Sequence, residues 1–405
     1  MPRTYLFIHQ NFPAQFVHVA TALARKGEAV HALSIGGREV RGVTVHRYPV
    51  GGEPPTWAQP GARDLLVKLT RGFACLQAMK ALQAEGLRPD VIVAHPGWGE
   101  ALFCRDVWPD ARLIVYPEFF YAAEGADVGF DPEFDRPAGP DARAALRLKN
   151  VALLQALADA DTAYTPTDWQ RSQVPAMFRD KVHVAFDGID TTAAAPDPAA
   201  SITLQRAGVS LKRGDEVITF VNRNFEPYRG FHVFMRALPE ILRRRPQARC
   251  VLIGRDGVSY GSRPPGGGSW RDHMLLELTG QLPMDRIHFL GALPHADYLR
   301  VLQVSACHVY LTYPFVLSWS CLEAMAVGCP LVASATAPVR EVVTHAHNGL
   351  LVDFFDRAGL CDAVESVLAD PQLGQQLGRQ ARQDVVQRFD LSTCVQGQVR
   401  IIEGG

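Results

Sequence analysis

Residues 5–33 read YLFIHQNFPAQFVHVATALARKGEAVHAL. Tyr5 to Ile8 is a short apolar run suited to a buried strand. From Ala14 to Lys26 the apolar residues 16, 19, 20 and 23 mark one face of a helix that stops at Gly27. Ala29 to Leu33 is a second strand. Strand, helix and strand in about 30 residues make a βαβ unit, whose parallel strands require the crossover helix.

The same rhythm runs outward from this unit. A helix is expected at about 62–85, strands at Val91–Ala94 and Leu113–Tyr116, a helix at about 140–158, and strands at Thr162–Tyr164 and Val182–Ala185. Residues 194–203 are polar, Pro-rich and without periodicity, as a linker would be. Beyond them, strands at Val217–Val221, Cys250–Ile253, Ile287–Leu290, Cys307–Leu311 and Leu331–Ala333 alternate with helices near 231–244, 270–280, 295–304 and 320–327. The α/β pattern therefore predicts two Rossmann-like, doubly wound parallel-sheet domains, 1–193 and 204–384, with ligand bound in a central cleft that they face. Gly254 to Ser269 carries six glycines and the adjacent Pro264 and Pro265, and is expected to be a long mobile loop.

Composition narrows the function. In 405 residues, 41 Lys and Arg oppose 42 Asp and Glu, so no whole-chain field draws the protein to nucleic acid, and any anion site must be local. The eight cysteines stand singly, without zinc-ribbon or redox spacing, which predicts free buried thiols in a reducing cytoplasm and no structural metal. The apolar run at the first strand is far shorter than a membrane span. The expected location is cytoplasmic, with peripheral contact with the inner membrane left open. Arg63, Lys68 and Arg71 on the helix of 62–85 are the basic residues such contact would use, although Asp64 lies among them.

Two segments carry the chemistry. In Phe220-Val-Asn-Arg223-Asn-Phe-Glu-Pro-Tyr-Arg229-Gly230, two arginines stand between a strand end and a helix start, where forked guanidinium groups can neutralise a diphosphate. In Leu311-Thr-Tyr-Pro-Phe315-Val316-Leu317-Ser318-Trp-Ser320-Cys-Leu-Glu323, a loop leads from a strand into a helix whose first amides can hold phosphate. Glu323 can there accept two ribose hydroxyls. Ser320 and Glu323 fit a capping box equally well.

Together these pieces resemble the retaining glycosyltransferases of family 4, which have the two-domain GT-B fold. Arg223 and Arg229 match the family's donor-pyrophosphate Arg and Lys. Leu322-Glu323-Ala324-Met325-Ala326, Gly328-x-Pro330, Arg340-Glu341 and Asn348-Gly349-Leu350 continue the match, which runs to about residue 390. The resemblance implies a C-terminal donor-binding domain and an N-terminal acceptor-side domain rejoined by a helix at about 385–405. Two departures stand out. Phe315 occupies the position of the family's first glutamate, leaving amides of Val316, Leu317 and Ser318 for the donor, and Arg229 replaces a lysine after a one-residue insertion.

In the first domain, Ala14 and Gln15 lie where the family has a glycine near the donor phosphate; a plain turn with a helix cap is the other reading. His95, at a strand end before a Gly-rich turn, matches a histidine that faces the reacting sugar. Glu118 and Tyr121, in an aromatic and acidic run, suit an acceptor subsite or a packed surface loop. The other histidines receive no role. The resemblance implies sugar transfer from a nucleotide diphosphate sugar to a hydroxyl of a glycan, lipid-linked or other glycoside acceptor, with retention and without a metal cofactor. A nucleotide-sugar 2-epimerase and a catalytically silent nucleotide-sugar-binding protein are the alternatives.

Overall fold

Strand residues that alternate between two buried faces have to be apolar at nearly every position. Tyr5 and Phe7 share one core cluster with Phe16, Val19, Ala20 and Leu23, while Leu6 and Ile8 belong to another with Cys75, Met79 and Leu82. Val91 and Val93 join the first cluster and Ile92 and Ala94 the second. Burying each such large side chain contributes about 1.5–3 kcal/mol. The first helix, Val17–Arg25, therefore covers one face of a sheet, and a longer helix, Arg63–Ala84, covers the other.

The computed structural model describes residues 2–52, 59–134 and 138–404. Its first sheet contains β1 (Thr4–Ile8), β2 (Ala29–Ser34), β3 (Val43–Arg47), β4 (Val91–Ala94), β5 (Arg112–Val115), β6 (Thr162–Thr165) and β7 (Val182–Val184). Their order is β3-β2-β1-β4-β5-β6-β7, all parallel. An antiparallel hairpin follows, β8 (Ser201–Leu204) with β9 (Val209–Lys212). The second sheet contains β10 (Val217–Asn224), β11 (Arg249–Arg255), β12 (Ile287–Gly291), β13 (Cys307–Tyr310), β14 (Leu331–Ser334) and β15 (Leu350–Val352). It runs β12-β11-β10-β13-β14-β15, also all parallel. Both are doubly wound α/β sheets.

By its contacts the chain divides into Met1–Gly188 with Ser392–Gly405, and Ile189–Leu391. The division falls outside 193, 204 and 384 because the two crossing segments are stitched together. Ile189 N–H donates to Phe389 O (2.8 Å), and Leu391 N–H donates to Ile189 O (2.9 Å). Residues 194–203 are accordingly part of the second unit rather than a free linker: Ala194 and Ala200 are buried, and the hairpin starts at Ser201. The last helix, Leu391–Glu403, adds Val399 and Ile402 to the first unit's core, and Gln398 Nε2 donates to Phe186 O (3.0 Å).

All eight cysteines are free and buried. No helix among the described residues is long and apolar enough to cross a membrane. Ala14 takes φ +39°, a left-handed conformation that a Cβ disfavours by about 1 kcal/mol. Ala14→Gly is expected to stabilise the protein by about 1 kcal/mol or slightly less, read as a rise in the thermal unfolding midpoint.

Candidate functional site

Each sheet has one place where successive crossovers leave in opposite directions, between β1 and β4 in the first and between β10 and β13 in the second. Loops diverge there and open a crevice at the carboxyl ends of the strands. The sequence candidates gather at these two places.

In the second unit, Gly230 has φ +68°, and a Cβ on it would lie 2.3 Å from Leu311 Cβ. The glycine thus lets the turn after β10 pack on the loop after β13, where Tyr313 N–H donates to Tyr228 O (2.9 Å). This turn buries Arg229 to 6% exposure. Its Nη1 donates to Thr312 Oγ1 (2.8 Å), Val316 O (2.9 Å) and Tyr310 OH (3.4 Å), all neutral oxygens. Among the described residues no carboxylate pairs with it, and the amides of Val316 and Leu317 have no hydrogen-bond partner. A buried cation lacking a counter-charge, beside idle N–H donors, is chemically suited to receive an anion. Arg223, at the end of β10, is exposed, and its side chain makes no hydrogen bond or ion pair among the described residues.

Phe315 is buried in an aromatic group rather than facing an open pocket. Its ring centroid lies 4.8 Å from Tyr260 and 5.5 Å from Tyr228, and the Arg229 guanidinium sits 5.7 Å from it and 5.4 Å from the Tyr260 ring. The next helix, Trp319–Ala326, is capped by Ser318, whose Oγ accepts from Ser320 N–H (3.4 Å) and whose own N–H donates to Tyr310 OH (2.9 Å). The amides of Ser318 and Ser320 are therefore already engaged within the protein. The capping box between Ser320 and Glu323 does not form, because the N-cap is Ser318, two residues earlier. The Glu323 carboxylate instead accepts from Tyr298 OH (2.8 Å) and lies 2.7 Å from His295 Nε2. The hydrogen bond to Glu323 raises the His295 pKa.

In the first unit, His9 leaves β1, His95 leaves β4, and Glu118 follows β5. His9 Nδ1 accepts from Asn11 N–H (2.9 Å) and His95 Nδ1 from Gly97 N–H (3.1 Å). A ring nitrogen that accepts carries no proton, so each neutral imidazole presents Nε2–H. Burial, with His95 as the lesser cause, pushes the His9 pKa down to about 3, which keeps it an uncharged donor. The His95 ring stacks on Trp98 at 4.2 Å, and His9 meets both edge-on. Gln15 Nε2 donates to Glu118 Oε1 (3.0 Å), and Glu118 Oε2 lies 3.4 Å from His95 Nε2. Gln15 and Glu118, read separately from sequence as donor and acceptor groups, therefore form one cluster with His95. His9 was missed, although it offered the same signal as His95, a histidine at a strand's carboxyl end.

Tyr121 lies apart from this cluster in its partners. Its backbone is clamped by Asn150, which accepts its N–H (3.1 Å) and donates to its carbonyl (2.7 Å), and Lys149 Nζ sits 3.5 Å from its ring centroid. Lys68 is a correction to the membrane-contact reading. It is buried, pairs with Asp64 at 2.8 Å and donates to Lys149 O, so it presents no charge to lipid.

Residues 22–194 match the family profile described as glycosyl transferase family 4 group, and residues 201–384 match that of glycosyl transferases group 1. The chain belongs to the family 4 glycosyltransferases. Among relatives of this glycosyltransferase, the D-inositol 3-phosphate glycosyltransferase of Nocardia farcinica is 28% identical over 239 residues, which is 58% of this chain and 50% of that protein. The alignment thus spans half the length of that relative. The glycogen synthase of Mycobacterium tuberculosis is 25% identical over 402 residues, 93% of this chain and 86% of that enzyme. Among solved structures, sucrose-phosphate synthase from Thermosynechococcus elongatus superposes with a TM-score of 0.76 at 16% identity, covering 99% of this chain and 98% of its own. Anabaena HepE in complex with UDP and glucose gives 0.68 at 17% identity, with both chains fully covered. At these identities the structures share the fold, which is GT-B.

The His295–Glu323 pair makes a checkable prediction. A raised folded-state pKa adds stability below the unfolded value near 6.5 and loses it as pH rises through the folded value. In an NMR titration His295 is expected to titrate above the ordinary histidine range, and Glu323→Gln to bring it down; an unchanged value in that variant would contradict the pairing.

Proposed function

We propose that this glycosyltransferase moves a sugar from a nucleotide diphosphate sugar to a hydroxyl of a glycan, lipid-linked or other glycoside acceptor, with retention at the anomeric carbon. The supporting observation is the buried Arg229 guanidinium, bonded among the described residues only to neutral oxygens, beside the amides of Val316 and Leu317, which have no partner among those residues. Transfer expels a nucleoside diphosphate, so the transition state gains negative charge on the leaving phosphate, and preorganised donors stabilise that charge. Arg229 and the two amides supply such donors, with Arg223 at the same strand end as the exposed second cation.

The first unit supplies hydrogen-bond donors of another kind. His95 and His9 present Nε2–H groups while neutral, which suits them to sugar oxygens rather than to proton removal. Glu118, tied to Gln15 and close to His95, is the acidic group of that cluster. The departing phosphate oxygen takes the acceptor proton, and the acceptor attacks the face from which the diphosphate leaves, which yields retention.

The test is transfer from a panel of nucleotide diphosphate sugars to glycan and glycolipid acceptors, with the product's anomeric configuration read by NMR. Arg229→Ala is expected to lower kcat/KM at least about 100-fold with the circular-dichroism spectrum unchanged. Near-normal turnover in that variant would sink the reading. Donor binding without transfer to any acceptor would favour the silent binding protein that Phe315 motivates.

A further inference from the structure

Glu226, three residues before Arg229, is only 1% exposed and is the acidic group nearest to it in sequence. It does not pair with Arg229. Its Oε2 instead accepts from the amides of Ser259 (3.3 Å), Tyr260 (3.1 Å) and Gly261 (3.0 Å), in the loop after β11. Asn224 holds the same loop, accepting from Gly257 N–H (3.2 Å) and donating to Ser259 Oγ (2.6 Å). Two of the loop's glycines are required by close approach. A Cβ on Gly257 would lie 2.8 Å from Asn224 Oδ1, and one on Gly254 would lie 2.8 Å from Phe225 Cε1. Residues 257–261 are therefore pinned rather than mobile, contrary to the sequence expectation, and the pinned turn sets the Tyr260 ring 5.4 Å from the Arg229 guanidinium.

We infer that Glu226 is a positioning residue of the donor site: it latches the glycine-rich loop so that Tyr260 walls the Arg229 anion site, and it leaves Arg229 open to a diphosphate by binding the loop instead. The inference rests on the donor-site reading above. A carboxylate takes charge-assisted hydrogen bonds from whichever donors are best placed. With three loop amides on one oxygen, Glu226 is held away from the cation it would otherwise neutralise. Phe315 and Tyr228 complete the wall, since Tyr260 packs on both, with ring centroids 4.8 Å and 6.1 Å away.

The latch is tested on the full chain by two measurements, the rate of chymotrypsin cleavage at the Tyr260–Gly261 bond and the calorimetric affinity for inorganic pyrophosphate. Glu226→Ala is expected to speed cleavage and weaken pyrophosphate binding, each at least about tenfold, whereas Glu226→Gln, which keeps an acceptor oxygen in place, should stay within about threefold of wild type. Tyr260→Ala removes the wall but not the latch, and is expected to weaken pyrophosphate binding. Wild-type cleavage in Glu226→Ala, or faster cleavage with unchanged affinity, overturns the inference. Should Glu226→Ala fail to fold, wild-type affinity in Tyr260→Ala overturns it equally. Arg229→Ala separates the two readings: it should lose pyrophosphate binding while Tyr260–Gly261 stays protected. Undiminished binding in that variant counts against the donor site itself, and the cleavage rates still report on the latch.

Discussion

A guanidinium buried with no counter-ion among the described residues is the constraint around which the second unit is arranged. Removing such a charge from water costs several kcal/mol, and three neutral oxygens return only part of that. The protein carries this cost at Arg229 and supports it with specific devices. Gly230 allows the close approach to Leu311, Thr312 and Val316 supply acceptors, and the one nearby carboxylate in sequence, Glu226, is bound elsewhere.

The first unit solves a different problem with the same architecture. Where β1 and β4 part, backbone amides occupy Nδ1 of two histidines, which leaves Nε2 as the donor of each neutral ring, and burial opposes protonation of His9. In both sheets, the working residues sit just past strand ends, positions that packing leaves free to carry polar groups.

Much of this was legible in the sequence because the signals were periodic. Continuous apolar strands such as Tyr5–Ile8 announce a sheet covered on both faces, and the intervening helices carry a clear apolar stripe. β3 and the hairpin β8–β9 were not legible because their exposed positions carry polar residues, and β15, though apolar, is only three residues long. At the sites, Arg229 and His95 were found by their place at strand ends. Glu226 and Tyr260 were missed because their roles depend on contacts between distant segments, residue 226 with residues 259–261, which no local pattern encodes, whereas His9 was missed despite its place at a strand end. The N-cap at Ser318 rather than Ser320 shows the same limit, since that two-residue shift leaves Glu323 out of the cap and paired with Tyr298 and His295.

The central claim is that Arg229 and the amides of Val316 and Leu317 together hold a diphosphate. A crystal structure with inorganic pyrophosphate bound tests it most directly. The account predicts phosphate oxygens within hydrogen-bond distance of the Arg229 guanidinium and of both amides. Pyrophosphate seated away from Arg229, with the guanidinium still bonded only to Thr312, Val316 and Tyr310, would contradict it.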